Sequence, residues 1–138
     1  MRVVFADTLY WYGLANPRDQ WHHPAKQARA QLGDVRLVTT EEVLVEFLAA
    51  LSRGGAYLRQ AGVEMVQTVL ADNTARVLPQ THLSFLRGLE LYSRRPDKEY
   101  SLVDCTSMTA MRDEGITDVL TNDHHFTQEG FTVLIHQR

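Results

Sequence analysis

The sequence holds a single cysteine, Cys105, so no disulfide can close within the chain, and that usage suits a reducing cytosol. No apolar run approaches the roughly 18 residues that a membrane span requires. The stretch from Val3 to Leu14 is apolar enough to suggest a leader. Asp7 interrupts its centre, however, and Pro17, Arg18 and Asp19 follow with no small-residue cleavage site, so the expected location is the cytoplasm. Repeats, low-complexity tracts and long linkers are missing too. The 138 residues, 44% hydrophobic and 22% charged, are read as one globular domain spanning 1–138, large enough to bury a core without staples.

What is present alternates between short apolar runs and helical patterns. The run from Arg2 ends abruptly in Asp7 and reads as a buried strand. A loop with Gly13, Asn16 and Pro17 is expected next, followed by a helix with Pro24 in its first turn that runs to Gly33. Val35 to Val38 is a second strand. Thr39 and Glu42 form a T-x-x-E start for a helix whose apolar face is Val43, Leu44, Phe47, Leu48 and Leu51, ended by Gly54 and Gly55.

A helix over 56–70 and a third strand over 75–78 follow, the latter closed by Pro79. Thr81 caps a helix that Pro96 prevents from continuing, and Ser101 with Asp104 opens another that runs to Gly115. Residues 118–121 are a fourth strand, and 131–135 a fifth at the edge. Strands separated by helices pair in parallel through right-handed crossovers. The expected architecture is therefore an α/β/α three-layer sandwich around a central parallel sheet of four to five strands.

Such a sheet places its chemistry outside the carboxyl ends of its strands. Asp7 and Asp123 fall at the ends of the first and fourth strands, and Asp104 falls in the first turn of a helix that can face the same rim. Glu46 lies two turns into the helix that follows the second strand. Carboxylates brought this close raise one another's pKa and cost several kcal/mol per ion to desolvate. A counter-ion resolves the conflict, and oxygen ligands of this kind suit Mg²⁺ or Mn²⁺. One or two such ions can activate a water for attack on a phosphodiester.

The spacing by itself leaves other readings open. Asp104 with Ser101 is also half of a capping box, Glu46 reads equally as a solvated helix acid, and Glu42 is an alternative ligand one turn earlier. Asp7, after an apolar strand, is the hardest to explain without a partner.

The net charge of −3 lacks the basic excess usual for a nucleic-acid binder, but leaving those four acids out of the count turns −3 into +1. A strongly basic, groove-filling DNA binder is excluded, whereas RNA is neither supported nor excluded. Arg18, Lys26 and Arg29, with Arg94, Arg95 and Lys98, are candidate phosphate contacts.

Other features have plainer explanations. His22-His23 and His124-His125 do not make a structural zinc site, since adjacent side chains diverge and one cysteine is available. Contact of His124 or His125 with a phosphate is the lesser alternative. Cys105 reads as an inert buried thiol. Tyr10, Trp11 and Tyr12 are expected in packing more than in stacking on bases. A phosphoacceptor domain of the response-regulator kind would need an Asp ending the third strand and a Lys ending the fifth, and neither is there.

Four segments, Val3 to Thr8, Val38 to Glu46, Ser101 to Cys105 and Gly115 to Phe126, resemble in order the motifs of the PIN-domain family, and within it the VapC-type toxins. The resemblance covers nearly the whole chain. It implies that Asp7, Glu46, Asp104 and Asp123 hold Mg²⁺ or Mn²⁺, with Thr8, Thr121 and Asn122 supporting them from behind. It further implies an endoribonuclease acting on RNA, a homodimer, and a small antitoxin that blocks the site. A non-catalytic PIN module that binds RNA or serves as a scaffold is the alternative.

Overall fold

The computed structural model describes residues 1–137. Five strands, β1 (Arg2–Ala6), β2 (Val35–Thr40), β3 (Ala75–Leu78), β4 (Asp118–Leu120) and β5 (Thr132–Val133), form one sheet in the order β3-β2-β1-β4-β5. Every pairing is parallel. Among the described residues the helices are α1 (Thr8–Ala15), α2 (His22–Leu32), α3 (Glu41–Leu51), α4 (Gly55–Ala71), α5 (His82–Arg94), α6 (Leu102–Glu114) and α7 (His125–Gln128). None of them is long and apolar enough to cross a membrane.

The strand order follows from the crossovers. From β1 the chain steps outward through β2 to β3, then returns past β1 to β4 and β5. Right-handed crossovers put the helices of the outward run and those of the return on opposite faces of the sheet, giving the expected sandwich. The direction of travel reverses between β1 and β4. The crevice at the carboxyl ends of those two strands is therefore the switch point where such sheets bind ligands. Beneath it, Val4, Phe5, Val119 and Leu120 are fully buried, and Phe47, Met108 and Phe126 close the core from the helices.

Three local features differ from expectation. The stretch after Asp7 is a helix, α1, rather than a loop. It is apolar on almost every side because it is enclosed by α2, α3 and α4, so it carries no amphipathic period to be read. Gly13 lets the turn before α2 close on it, since a Cβ there would stand 3.0 Å from the Trp21 carbonyl oxygen.

The start of α3 lies one residue later than the T-x-x-E pattern suggests. Thr40, still paired with Leu78, is the cap and accepts from the Val43 amide at 3.1 Å. Thr39 is turned inward, donating to the Ala6 carbonyl at 2.8 Å. Lastly, α7 has four residues, too few for any periodicity to announce it.

An acidic cleft at the switch point

Asp7 stands where β1 ends and α1 begins. It occupies the N-cap of α1, yet its side chain makes no capping bond, which leaves the carboxylate for the crevice. It is 5% exposed. Thr121, at the end of β4, donates its hydroxyl to Asp7 Oδ2 at 3.0 Å and accepts from the Asp123 amide at 3.1 Å. One threonine thus joins the two strand ends that the topology sets side by side.

Asp104 satisfies both of its sequence readings at once. In the capping box of α6 its amide donates to Ser101 Oγ at 3.0 Å and its Oδ2 accepts from the Ser101 amide at 3.0 Å. The same oxygen lies 3.2 Å from His125 Nδ1, which is 3.4 Å from Asp123 Oδ1. Asp123 Oδ1 also accepts the His125 amide at 2.9 Å. Asp104, Asp123 and His125 each offer a ligand atom, all within 4.8 Å of one another. Glu46 enters from α3 and accepts a short 2.5 Å hydrogen bond from the Thr8 hydroxyl. Glu42 is turned away toward α5, where it accepts from Ser84 Oγ at 2.8 Å.

These groups line a cleft of about 520 Å³ that also admits Tyr12, Asp19 and Glu99. Its lining residues include no lysine or arginine. Burial pushes the Asp7 carboxyl up to about 7; the Thr8 amide and Thr121 hydroxyl oppose the rise, while Asp104 and Glu46 add to it. Asp104 is raised as well, by burial first and by Asp123, against the pull of the Ser101 amide and His125. The cleft holds more negative charge than its own side chains compensate.

The remaining candidates are placed elsewhere. Asn122 donates to the Ile135 carbonyl at 2.6 Å, tying the end of β4 to the segment after β5. Arg18 and Lys26 are exposed and do not line the cleft. Arg94 pairs with Glu90 along α5. Arg95 is bound to Glu129, Nε to Oε2 at 2.9 Å and Nη2 to Oε1 at 3.1 Å. Arg112 and the Tyr100 hydroxyl also reach Glu129, each at 2.9 Å, and the Tyr100 ring leans on His125 with centroids 5.3 Å apart.

Tyr10 and Trp11 are core residues. His22 meets the Gly13 carbonyl at 2.7 Å. Cys105 is fully buried, with its thiol pushed up to about 11 by burial. Asp19 and Glu99 were not singled out in the sequence because each sits in a polar connection with no pattern around it. The bridging place of His125 follows from the α7 turn, which no periodicity announces.

A parallel sheet with this strand order and carboxylates gathered at its switch point defines a class of acidic, cation-seeking α/β domains. The PIN domain pattern matches residues 4–131, and the chain belongs to the PIN domain family. It is 31% identical over 137 residues to the 23S rRNA-specific endonuclease VapC20 of Mycobacterium tuberculosis, covering 94% of this chain and 95% of that protein. The crystal structure of M. tuberculosis VapC20, described as a sarcin–ricin loop cleaving toxin, superposes with a TM-score of 0.83 at 29% identity over 94% of this chain and 96% of that one. FitAcB from Neisseria gonorrhoeae, with a TM-score of 0.64 at 15% identity over 95% and 96% of the two chains, shares the fold.

Proposed function

We propose that this chain is a divalent-metal-dependent endoribonuclease and the toxin of a toxin–antitoxin pair, acting in the cytoplasm as a homodimer. The observation that carries the reading is the group of Asp7, Glu46, Asp104 and Asp123 around one cleft, with Asp7 buried and no lysine or arginine among the lining residues. The donor set fits Mg²⁺ or Mn²⁺, since it is built from hard carboxylate oxygens whose mutual repulsion a dication relieves. Asp7, Asp104 and Asp123 would hold the ion, with Glu46 completing the set. When bound, the ion supplies charge neutralisation at the phosphodiester and Lewis-acid activation of water.

The chain's own residues do the positioning. Thr121 aims Asp7 and anchors the Asp123 amide, Thr8 holds Glu46, and His125 keeps Asp104 and Asp123 on one ring nitrogen. The likeness to VapC20 supports RNA as substrate and makes 23S rRNA the first one to try.

Purified protein with Mn²⁺ or Mg²⁺ should cut 23S rRNA at a discrete position. EDTA should stop the cut, and Asp7→Asn should abolish it. A cut that survives Asp7→Asn would overturn the assignment, while metal binding without cleavage of any RNA would favour the scaffold reading. A small protein co-purifying from the native operon would supply the antitoxin.

A further inference from the structure

The acidic cleft has a second kind of wall. Besides its carboxylates it is lined by Leu9, Tyr12, Trp21 and Ala50. The two kinds lie in tiers. Thr8 and Tyr12 stand one turn apart on α1, and Glu46 and Ala50 one turn apart on α3, so each helix presents a polar and then a less polar residue on one face. One turn is about 5.4 Å, close to the length of the sugar that joins a phosphate to its base.

Tyr12 and Trp21 are half-buried, unlike Tyr10 and Trp11, which the core encloses. Both are held in place before anything binds. The Trp21 amide donates to Asp19 Oδ2 at 3.1 Å, and its carbonyl accepts the Ala25 amide at 2.8 Å. Gly13 lets that carbonyl pack against α1, where a Cβ would stand 3.0 Å from it. The Tyr12 hydroxyl accepts from Asn16 Nδ2 at 3.3 Å. Side chains fixed in this way lose little freedom when a ligand meets them.

Charge decides what such a wall can take. No lysine or arginine lines the cleft, and the Asp19 carboxylate is bonded at the Trp21 amide. A phosphate is repelled there, whereas the flat, uncharged part of a nucleotide is not. Every base has a face that stacks on an aromatic ring, provided that the base is free of its own stack and pair. The wall also belongs to the cleft that a substrate must enter, so it is open whenever the acids are.

We propose that Tyr12 and Trp21 form the wall on which an unpaired base stacks beside the scissile phosphate, so that the enzyme selects nucleotides already out of a duplex. The proposal rests on the nuclease reading and names the residues behind one part of its specificity.

The chain has two tryptophans, and the Trp11 indole is buried and donates to Thr39 Oγ1 at 3.4 Å, so the two indole N–H signals report on different places. Titration of 5′-AMP with Mg²⁺ into the wild-type protein, followed by NMR, should shift the Trp21 signal and leave that of Trp11 in place. Ribose 5-phosphate, which carries the phosphate without a base, should bind about tenfold more weakly and leave Trp21 unshifted. In cleavage, an abasic site at one of the two nucleotides flanking the cut should lower kcat/KM about tenfold for the wild type. Trp21→Leu should cause the same loss on intact RNA and no further loss on the abasic RNA, and Trp21→Phe, which keeps a flat ring, should recover most of it.

An unshifted Trp21 signal at millimolar AMP, or equal binding of AMP and ribose 5-phosphate, would overturn the proposal. So would N-acetyl-phenylalaninamide shifting Trp21 where AMP does not, which would assign the wall to a protein segment. Cleavage indifferent to abasic sites on both sides of the cut defeats the stacking wall alone. Base stacking on Trp21 without cleavage of any RNA defeats the nuclease reading and leaves the wall standing.

Discussion

Asp7 and Glu129 are two nearly solvent-free carboxylates of one small domain, and they occupy opposite electrostatic surroundings. Each has about 5% of its surface exposed, counted on the whole residue for Asp7 and on the side chain for Glu129. Glu129 receives Arg95, Arg112 and the Tyr100 hydroxyl, and that hydrogen bonding, with Arg95 foremost, holds its carboxyl down to about 2. Asp7 receives the Thr121 hydroxyl, faces Asp104 and Glu46, and is pushed up to about 7. Burial dominates at Asp7, whereas at Glu129 the hydrogen bonds from Arg95, Arg112 and Tyr100 outweigh it. The fold can surround a carboxylate with cations where it welds α5, α6 and α7 together, and it withholds them at the switch point. A charge that is left uncompensated beside three other acids is a site for a cation from outside.

The sharpest way to break this contrast is Asp7→Asn. Cleavage should fall by more than the roughly 100-fold that marks the upper range for residues supporting a metal ligand. The metal-free protein should lose no stability above pH 7. The sign follows from the raised carboxyl: relative to the ordinary 3.8, folding favours the protonated form, so Asp7 disfavours the fold increasingly as pH rises from about 3.8 to about 7, and the penalty is fully developed above that. A thermal melt at pH 8 in EDTA checks it, and marked destabilisation would mean that Asp7 is structural.

Next in size is the response to metal. Mn²⁺ at 100 times its dissociation constant should stabilise the wild type by about 2.7 kcal/mol and leave Asp7→Asn unmoved. Calorimetry in the two proteins reads this directly.

Glu129→Gln should act on the other side of the comparison. It should cost about 2 kcal/mol, below the 3–5 of a fully buried pair because the Arg95 and Arg112 side chains are 35% and 43% exposed. In the wild type this contribution is fully present above the ordinary glutamate value of 4.5 and is lost as pH falls toward about 2. Acid melts of the variant should accordingly be shallower in that window. The smallest effect belongs to Thr121→Val, which removes the hydroxyl shared by Asp7 and the Asp123 amide. Activity should drop about tenfold with the melting temperature nearly unchanged. A large loss of stability instead would make Thr121 a core residue first.

The secondary structure was legible wherever a run had a period or a stop. The strand ending at Asp7, the four-residue β3 before Pro79, and the caps at Thr81 and Ser101 lie where the residues place them. The misreadings have specific causes. Helix α1 is apolar on almost every side and so shows no amphipathic period, and Thr39 and Thr40 are equally good caps until pairing with β1 and β3 turns one inward. At the site, Asp7 could be suspected from its strand alone, because an apolar run ending in a carboxylate needs a reason.

What the sequence by itself determined is the parallel sandwich and the likeness to the PIN family, since both rest on local pattern and ordered motifs. Only the tertiary structure placed Glu46 in the cleft and Glu42 against Ser84, engaged Arg95 with Glu129, set His125 between Asp104 and Asp123, and put Asp104 in a cap and a cleft together. Those outcomes depend on which helix face meets which strand end, and the partners lie up to 42 residues apart in the chain. Local propensity carries no information across that distance. The reversal of strand order between β1 and β4 does, and it is what turns scattered acids into one pocket.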